Sequence, residues 1–91
     1  MGPSFRLQII TQDAIEYDGQ ATSLVAPGEL GYLGILANHA PLITTLVPGK
    51  ITATEPSGNK FTLKSTGNGF LEVSKNTATM LLDHCEPAQG K

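Results

Sequence analysis

The sequence predicts a small all-β protein, a sandwich of short strands, and three observations carry that expectation. Ten glycines and six prolines fall among 91 residues, which leaves little room for uninterrupted helix. Turn signals recur at Asp18-Gly19, Pro27-Gly28, Pro48-Gly49, Pro56-Ser57-Gly58-Asn59, Gly67-Asn68-Gly69 and Lys75-Asn76, mostly at the spacing of a β-sandwich or barrel. Between them apolar and polar residues alternate with period two, the mark of a strand with one wet face.

Taken in order, Phe5, Leu7 and Ile9 alternate with Arg6 and Gln8 and read as the first strand. Ile51 and Ala53 alternate with Thr52 and Thr54, and Phe61 and Leu63 with Lys60, Thr62 and Lys64. With Pro56-Ser57-Gly58-Asn59 supplying a preset φ and a residue free to take φ > 0, Lys50 to Ser65 reads as a hairpin. Leu71 and Val73, then Ala78, Met80 and Leu82, predict a second pair around Lys75-Asn76. Phe70 to Glu86 is free of Gly and Pro, yet β-branched Val73, Thr77 and Thr79 and the two-residue period favour strands over helix. One domain is expected over residues 5–86. Residues 1–4 read as a flexible start or a remnant of cloning, and residues 87–91, lacking apolar partners, as a frayed tail.

One interval breaks the rhythm. Residues 29–47 are dense in apolar side chains but interrupted by Gly31, Gly34 and Pro41. Two short core strands with a bend at Asn38-His39 account for the pattern. Alternatively, Leu30, Tyr32, Leu33, Ile35 and Leu36 exceed what one buried face takes, so part of this surface meets a partner.

Charge and chemistry exclude more than they propose. Six Lys plus Arg against eight Asp plus Glu give a net −2, and the longest basic grouping, Lys60 with Lys64, is no footprint for nucleic acid. No apolar run approaches the ~20 residues of a membrane span. The single Cys85 has no internal disulfide partner, which fits a reducing compartment. No Cys-x-x-Cys or His-x-x-x-His spacing offers a metal site, and Gly28 to Gly34 lacks the Lys and Ser/Thr of a phosphate loop. In Asp83-His84-Cys85, neighbours on an extended chain point to opposite faces, so no base–nucleophile pair is expected. His39 reads as a turn or contact residue. No catalytic residue, cofactor or metal is expected. A free-standing recognition module for a peptide or small ligand is the alternative to an assembly module.

The odd interval is also the most specific part of the sequence. Ser23-Leu24-Val25-Ala26-Pro27-Gly28, Leu33-Gly34-Ile35-Leu36, His39-Ala40-Pro41-Leu42-Ile43-Thr44, Leu46-Val47-Pro48-Gly49 and Gly69-Phe70-Leu71-Glu72-Val73 together resemble the epsilon subunit of the F-type ATP synthase, in order from about Phe5 to Glu86. The resemblance implies the ten-stranded amino-terminal sandwich of that family, a non-catalytic element of the central stalk. Such an element couples rotation of the ring of c subunits to gamma and the catalytic head during proton- or sodium-driven ATP synthesis. By matching positions, Glu29, Leu30, Gly31, Tyr32 and Leu33 are implied to face the c-ring, and Thr11, His39 and Thr44 to meet gamma. The implied place is peripheral, at the cytoplasmic face of a bacterial inner membrane or the stromal or matrix face of an organelle. Two departures stand out. Tyr32 occupies a position before the Leu-Gly-Ile motif where many relatives carry an acidic residue. The family usually continues with a two-helix hairpin that inhibits hydrolysis and in some members binds ATP; with Pro87 and Gly90 near Lys91, neither property is expected here. The sequence reads either as a naturally short member or as a piece cut at the domain boundary.

Overall fold

Alternation in the sequence becomes alternation in burial. In the computed structural model, which describes residues 2–88, Phe5, Leu7 and Ile9 of β1 (Phe5–Ile10) lie in the core while Arg6 faces water. The chain continues through β2 (Ile15–Ala21), β3 (Ser23–Gly28), β4 (Gly31–Leu36), β5 (Leu42–Leu46), β6 (Gly49–Thr54), β7 (Lys60–Ser65), β8 (Gly69–Ser74), β9 (Thr77–Leu82) and β10 (Cys85–Pro87), with the alternation clear in β5, β6, β8 and β9 and lost along β7 and at the end of β3. The described residues contain no helix.

The ten strands form one hydrogen-bonded path, β10-β7-β6-β3-β5-β8-β9-β1-β2, with β4 on the other edge of β3. The path folds over at β3. Val25 faces Thr52 of β6, whereas Gly28, three residues on, faces Leu46 of β5, six residues away on the other side. The register therefore slips by three residues across Val47-Pro48-Gly49, and β5 and β6 leave this corner along β3 for opposite layers. Strands that change sheets at a bend are how sandwich corners are built. Thr22 makes a second corner: its amide and its hydroxyl both donate to the Thr54 carbonyl, at 2.7 and 3.3 Å. One layer is thus β4-β3-β6-β7-β10 and the other β5-β8-β9-β1-β2. Every pairing is antiparallel except β1 with β9.

Leu7, Ile9, Leu24, Ile35, Leu46, Ile51, Leu71 and Met80 fill the space between the layers. On the closed side Tyr17 of β2 tilts against Phe61 of β7 with ring centroids 4.7 Å apart, and Gln12 donates to Asp83 at 3.0 Å. On the open side the edges of β4 and β5 face each other across a groove.

Three expectations need correction. Asp18-Gly19 is no turn: it lies inside β2, paired with Gln8 and Leu7, and the Tyr17 side chain folds over Gly19 so that a Cβ there would lie 3.0 Å from the Tyr17 hydroxyl. Pro27-Gly28 closes β3, and the chain reverses at Glu29-Leu30 instead. Pro27 suits the corner because its ring nitrogen, on the side of its carbonyl, has no proton to leave unpaired there. The domain also runs past Glu86. Pro87 pairs with Leu63 and the Ala88 amide donates to Thr62 at 3.1 Å, because the outer edge of β7 offers backbone partners. Residues 89–91 of the expected tail lie outside the described residues, as does Met1. Ser4 is tied at both ends, its hydroxyl donating to Gln20 at 2.8 Å and its carbonyl accepting from Asn76 at 3.0 Å.

Candidate functional site: the tip of the β3–β4 hairpin

The β3–β4 hairpin carries the residues singled out by the odd interval. Gly28 pairs with Gly31 across a two-residue reversal at Glu29-Leu30. Gly31 has φ = 128°, a backbone conformation that side chains with a Cβ disfavour. Leu30 is fully exposed, at 103%. Glu29 accepts a 2.7 Å hydrogen bond from the Thr45 hydroxyl of β5. Tyr32, 61% exposed, turns its hydroxyl back to accept from the Lys50 amide of β6 at 3.1 Å. Leu33 packs against the core.

Beside the tip runs a groove of about 400 Å³, lined by Gly28 to Gly34 together with His39, Leu42 and Thr44. The structure therefore brings Glu29, Leu30, Gly31, Tyr32 and Leu33 onto one surface with His39 and Thr44. Thr11 stands apart. It is three strand spacings from β5, roughly 14 Å, and only 8% exposed. Its hydroxyl shapes the β1–β2 turn, contacting the Ala14 carbonyl at 3.3 Å and Glu16 at 3.2 Å. A second groove of about 330 Å³, between Glu29, Thr45 and Phe70, flanks the tip on its other side.

The polar side chains of the main groove are already engaged. Glu29 is held by Thr45, Tyr32 by Lys50, His39 Nδ1 lies 2.7 Å from the Ala40 carbonyl, and the Thr44 hydroxyl donates to the Thr45 carbonyl at 3.4 Å. Each of these side chains thus has a partner within the protein. Among the described residues no three His, Cys, Asp or Glu side chains gather as metal ligands do. Asp83, His84 and Cys85 point apart: Asp83 accepts from Gln12, His84 is exposed, and Cys85 is buried opposite Ser65. Burial, with Glu16 adding a smaller push, raises the Cys85 thiol above its ordinary range, so it carries little thiolate character.

One surface escapes sequence reading altogether. On the outer face of the β8 layer, cross-strand register aligns Phe70, Leu81 and Ile10, with Ile15 beyond the β1–β2 bulge and Ile43 diagonal to Phe70. Phe70, Leu81, Ile15 and Ile43 are all exposed. Each is a single apolar residue on a wet face, and only the register shows that they form a row.

Two kinds of comparison bear on the class of protein this is. The fold is shared with a chain of the cryo-EM structure of the Euglena gracilis mitochondrial ATP synthase, OSCP/F1/c-ring, at TM-score 0.87 and 19% identity over 96% of this chain and 55% of that one. A central stalk/c-ring structure of the Tetrahymena thermophila mitochondrial ATP synthase gives 0.75 at 16% identity, over 90% of this chain and 65% of that one. The architecture is thus a β-sandwich shared with those chains. Residues 4–88 match the family model of the ATP synthase Delta/Epsilon chain β-sandwich domain, and the chain belongs to that family. It is 43% identical over 86 residues to the ATP synthase epsilon chain of Stenotrophomonas maltophilia strain K279a, and 39% over 88 residues to that of Dichelobacter nodosus. The matches take in 94% and 97% of this chain but only 61% of each relative's length.

Proposed function

We propose that the chain is a non-catalytic stalk module of a rotary ATP synthase, binding gamma and the c-ring and passing rotation between them. The observation that carries this reading is the family match over residues 4–88, supported by relatives named as epsilon chains. The geometry agrees with a mechanical role. Two layers closed by cross-strand pairs and a continuous core make a stiff body, and rigid elements position contact residues more accurately than loops do. On this reading the hairpin tip, Glu29 to Leu33, faces the polar loops of the ring. His39 and Thr44 flank gamma, and Thr11 acts through the β1–β2 turn that it shapes. The module is then peripheral to the membrane, held there through the complex on its cytoplasmic side.

The test is co-purification of the chain with gamma, followed by reconstitution into an enzyme depleted of its own epsilon. Stable association with gamma and recovery of ion-driven ATP synthesis are expected. A folded chain that fails to hold gamma overturns the reading.

A further inference from the structure

The hairpin tip has little to hold it locally. Its reversal is two residues long, Gly31 sits at φ = 128° with nothing within 4 Å of where a Cβ would be, and Leu30 is fully exposed. Yet two side chains leave the tip in different directions, one to each arm of the corner. Glu29 reaches β5 through Thr45 and Tyr32 reaches β6 through Lys50.

The Tyr32 contact completes something the backbone leaves open. If the β6 register continued, Lys50 would face Pro27, since Val25 faces Thr52. The Pro27 carbonyl, however, accepts from Val47 at 2.9 Å, so the three-residue slip deprives the Lys50 amide of its strand acceptor. The Tyr32 hydroxyl stands in that place. Gly49 gives it room, because a Cβ there would lie 2.9 Å from both the Tyr32 hydroxyl and Pro27 Cβ.

We propose that Glu29 and Tyr32 are positioning residues that brace the tip against both arms of the corner, leaving Leu30 as its one free side chain and the apolar contact made with the ring. The proposal rests on the stalk reading above and assigns separate roles within the ring-facing segment. Bracing lowers the ordering cost of binding, which is how preorganisation raises affinity.

The experiment compares Y32F, the double variant Y32F/T45V, and L30A in the full chain. Hydrogen exchange at the Lys50 amide is measured first. Y32F is expected to speed it roughly three- to tenfold, the worth of one net hydrogen bond, and L30A to leave it unchanged. Binding of each chain, in complex with gamma, to detergent-solubilised c-ring is measured second. L30A is expected to weaken it about tenfold or more at unchanged Tm, whereas Y32F/T45V weakens it less and mainly by slowing association. Unchanged Lys50 exchange in Y32F overturns the brace. Wild-type binding by L30A together with lost binding by Y32F overturns the division of roles, since Tyr32 is then itself the contact. If wild type holds gamma but does not bind the ring, the ring-facing reading fails, while Lys50 exchange still decides the brace.

Discussion

Tyr17 shows how much one residue does at the closed side of the sandwich. Its ring covers Gly19 and meets Phe61, and its hydroxyl lies 2.9 Å from the Gln20 carbonyl and 3.1 Å from the Glu55 carboxylate. Burial first, and then Glu55, raises its pKa above the ordinary tyrosine value. A group whose folded pKa lies above its unfolded one contributes stability that is complete below the unfolded value, about 10, and is lost as pH rises through the folded value. Thermal melts from pH 8 to 11 should therefore show an alkaline fall in Tm that Y17F flattens. Two glycines separate space from backbone strain. A Cβ at Gly69 would collide with the Leu81 carbonyl oxygen and lie 2.9 Å from Leu82 Cδ2, so G69A should cost about 1–3 kcal/mol through overpacking. At Gly31 there is ample space but φ = 128°, and G31A should cost about 1–3 kcal/mol from backbone conformation alone. Urea denaturation of the two variants measures both.

At the scale of elements, the β8–β9 turn does more than reverse the chain. Lys75 and Asn76 both have positive φ, 51° and 58°, the geometry of the mirror-image turns that suit twisted hairpins. Asn76 also donates to the Ser4 carbonyl at 3.0 Å and accepts from the Asn38 amide at 2.7 Å, and its carbonyl accepts from Arg6 at 3.2 Å. It joins the start of β1, the β4–β5 bend and the β8–β9 turn. N76G keeps the left-handed freedom and removes the side chain, so about 1–2 kcal/mol should be lost. N76A should lose about 1 kcal/mol more, from the positive φ. Equal losses in equilibrium denaturation would mean that the turn conformation is not what Asn76 supplies.

The same contrast between local and long-range signals explains what is legible in the sequence. The Lys50–Ser65 and Phe70–Leu82 hairpins could be read because turn residues and alternation are local signals. The two short strands on either side of Asn38-His39 are readable as well, Asn38 taking a positive φ of 62° at the bend, but not as core strands, since β4 buries only Ile35 and β5 only Leu46. Asp18-Gly19 misled because the side chain that compensates for Gly19 is Tyr17, two residues away and equally compatible with a turn. The hairpin tip stood out through its glycine spacing and motif. The duty of the Tyr32 hydroxyl could not, since it exists only because β5 and β6 are out of step along β3.

For the molecule as a whole, the core is small and unsupported by any cross-link, with Cys85 free. Stability of roughly 5–13 kcal/mol is expected for a chain of this size, so one central truncation takes a large share. Leu71 and Met80 face each other in the β8 layer and are fully buried. L71A should cost about 2–5 kcal/mol and leave the domain partly unfolded at physiological temperature, visible as a lowered Tm and faster proteolysis.

The parallel β1–β9 pair has a consequence for synthesis. Arg6 lies beside Thr77, so β1 leaves the ribosome well before its partner, made about seventy residues later, a long-range closure of the kind that slows folding. The later hairpins are free to zip as they emerge, but the seam beside β1 closes only when β9 arrives. Until then the Phe5, Leu7 and Ile9 face of the nascent chain is uncovered on that side, which makes this strand the natural client of whatever shields apolar segments during translation.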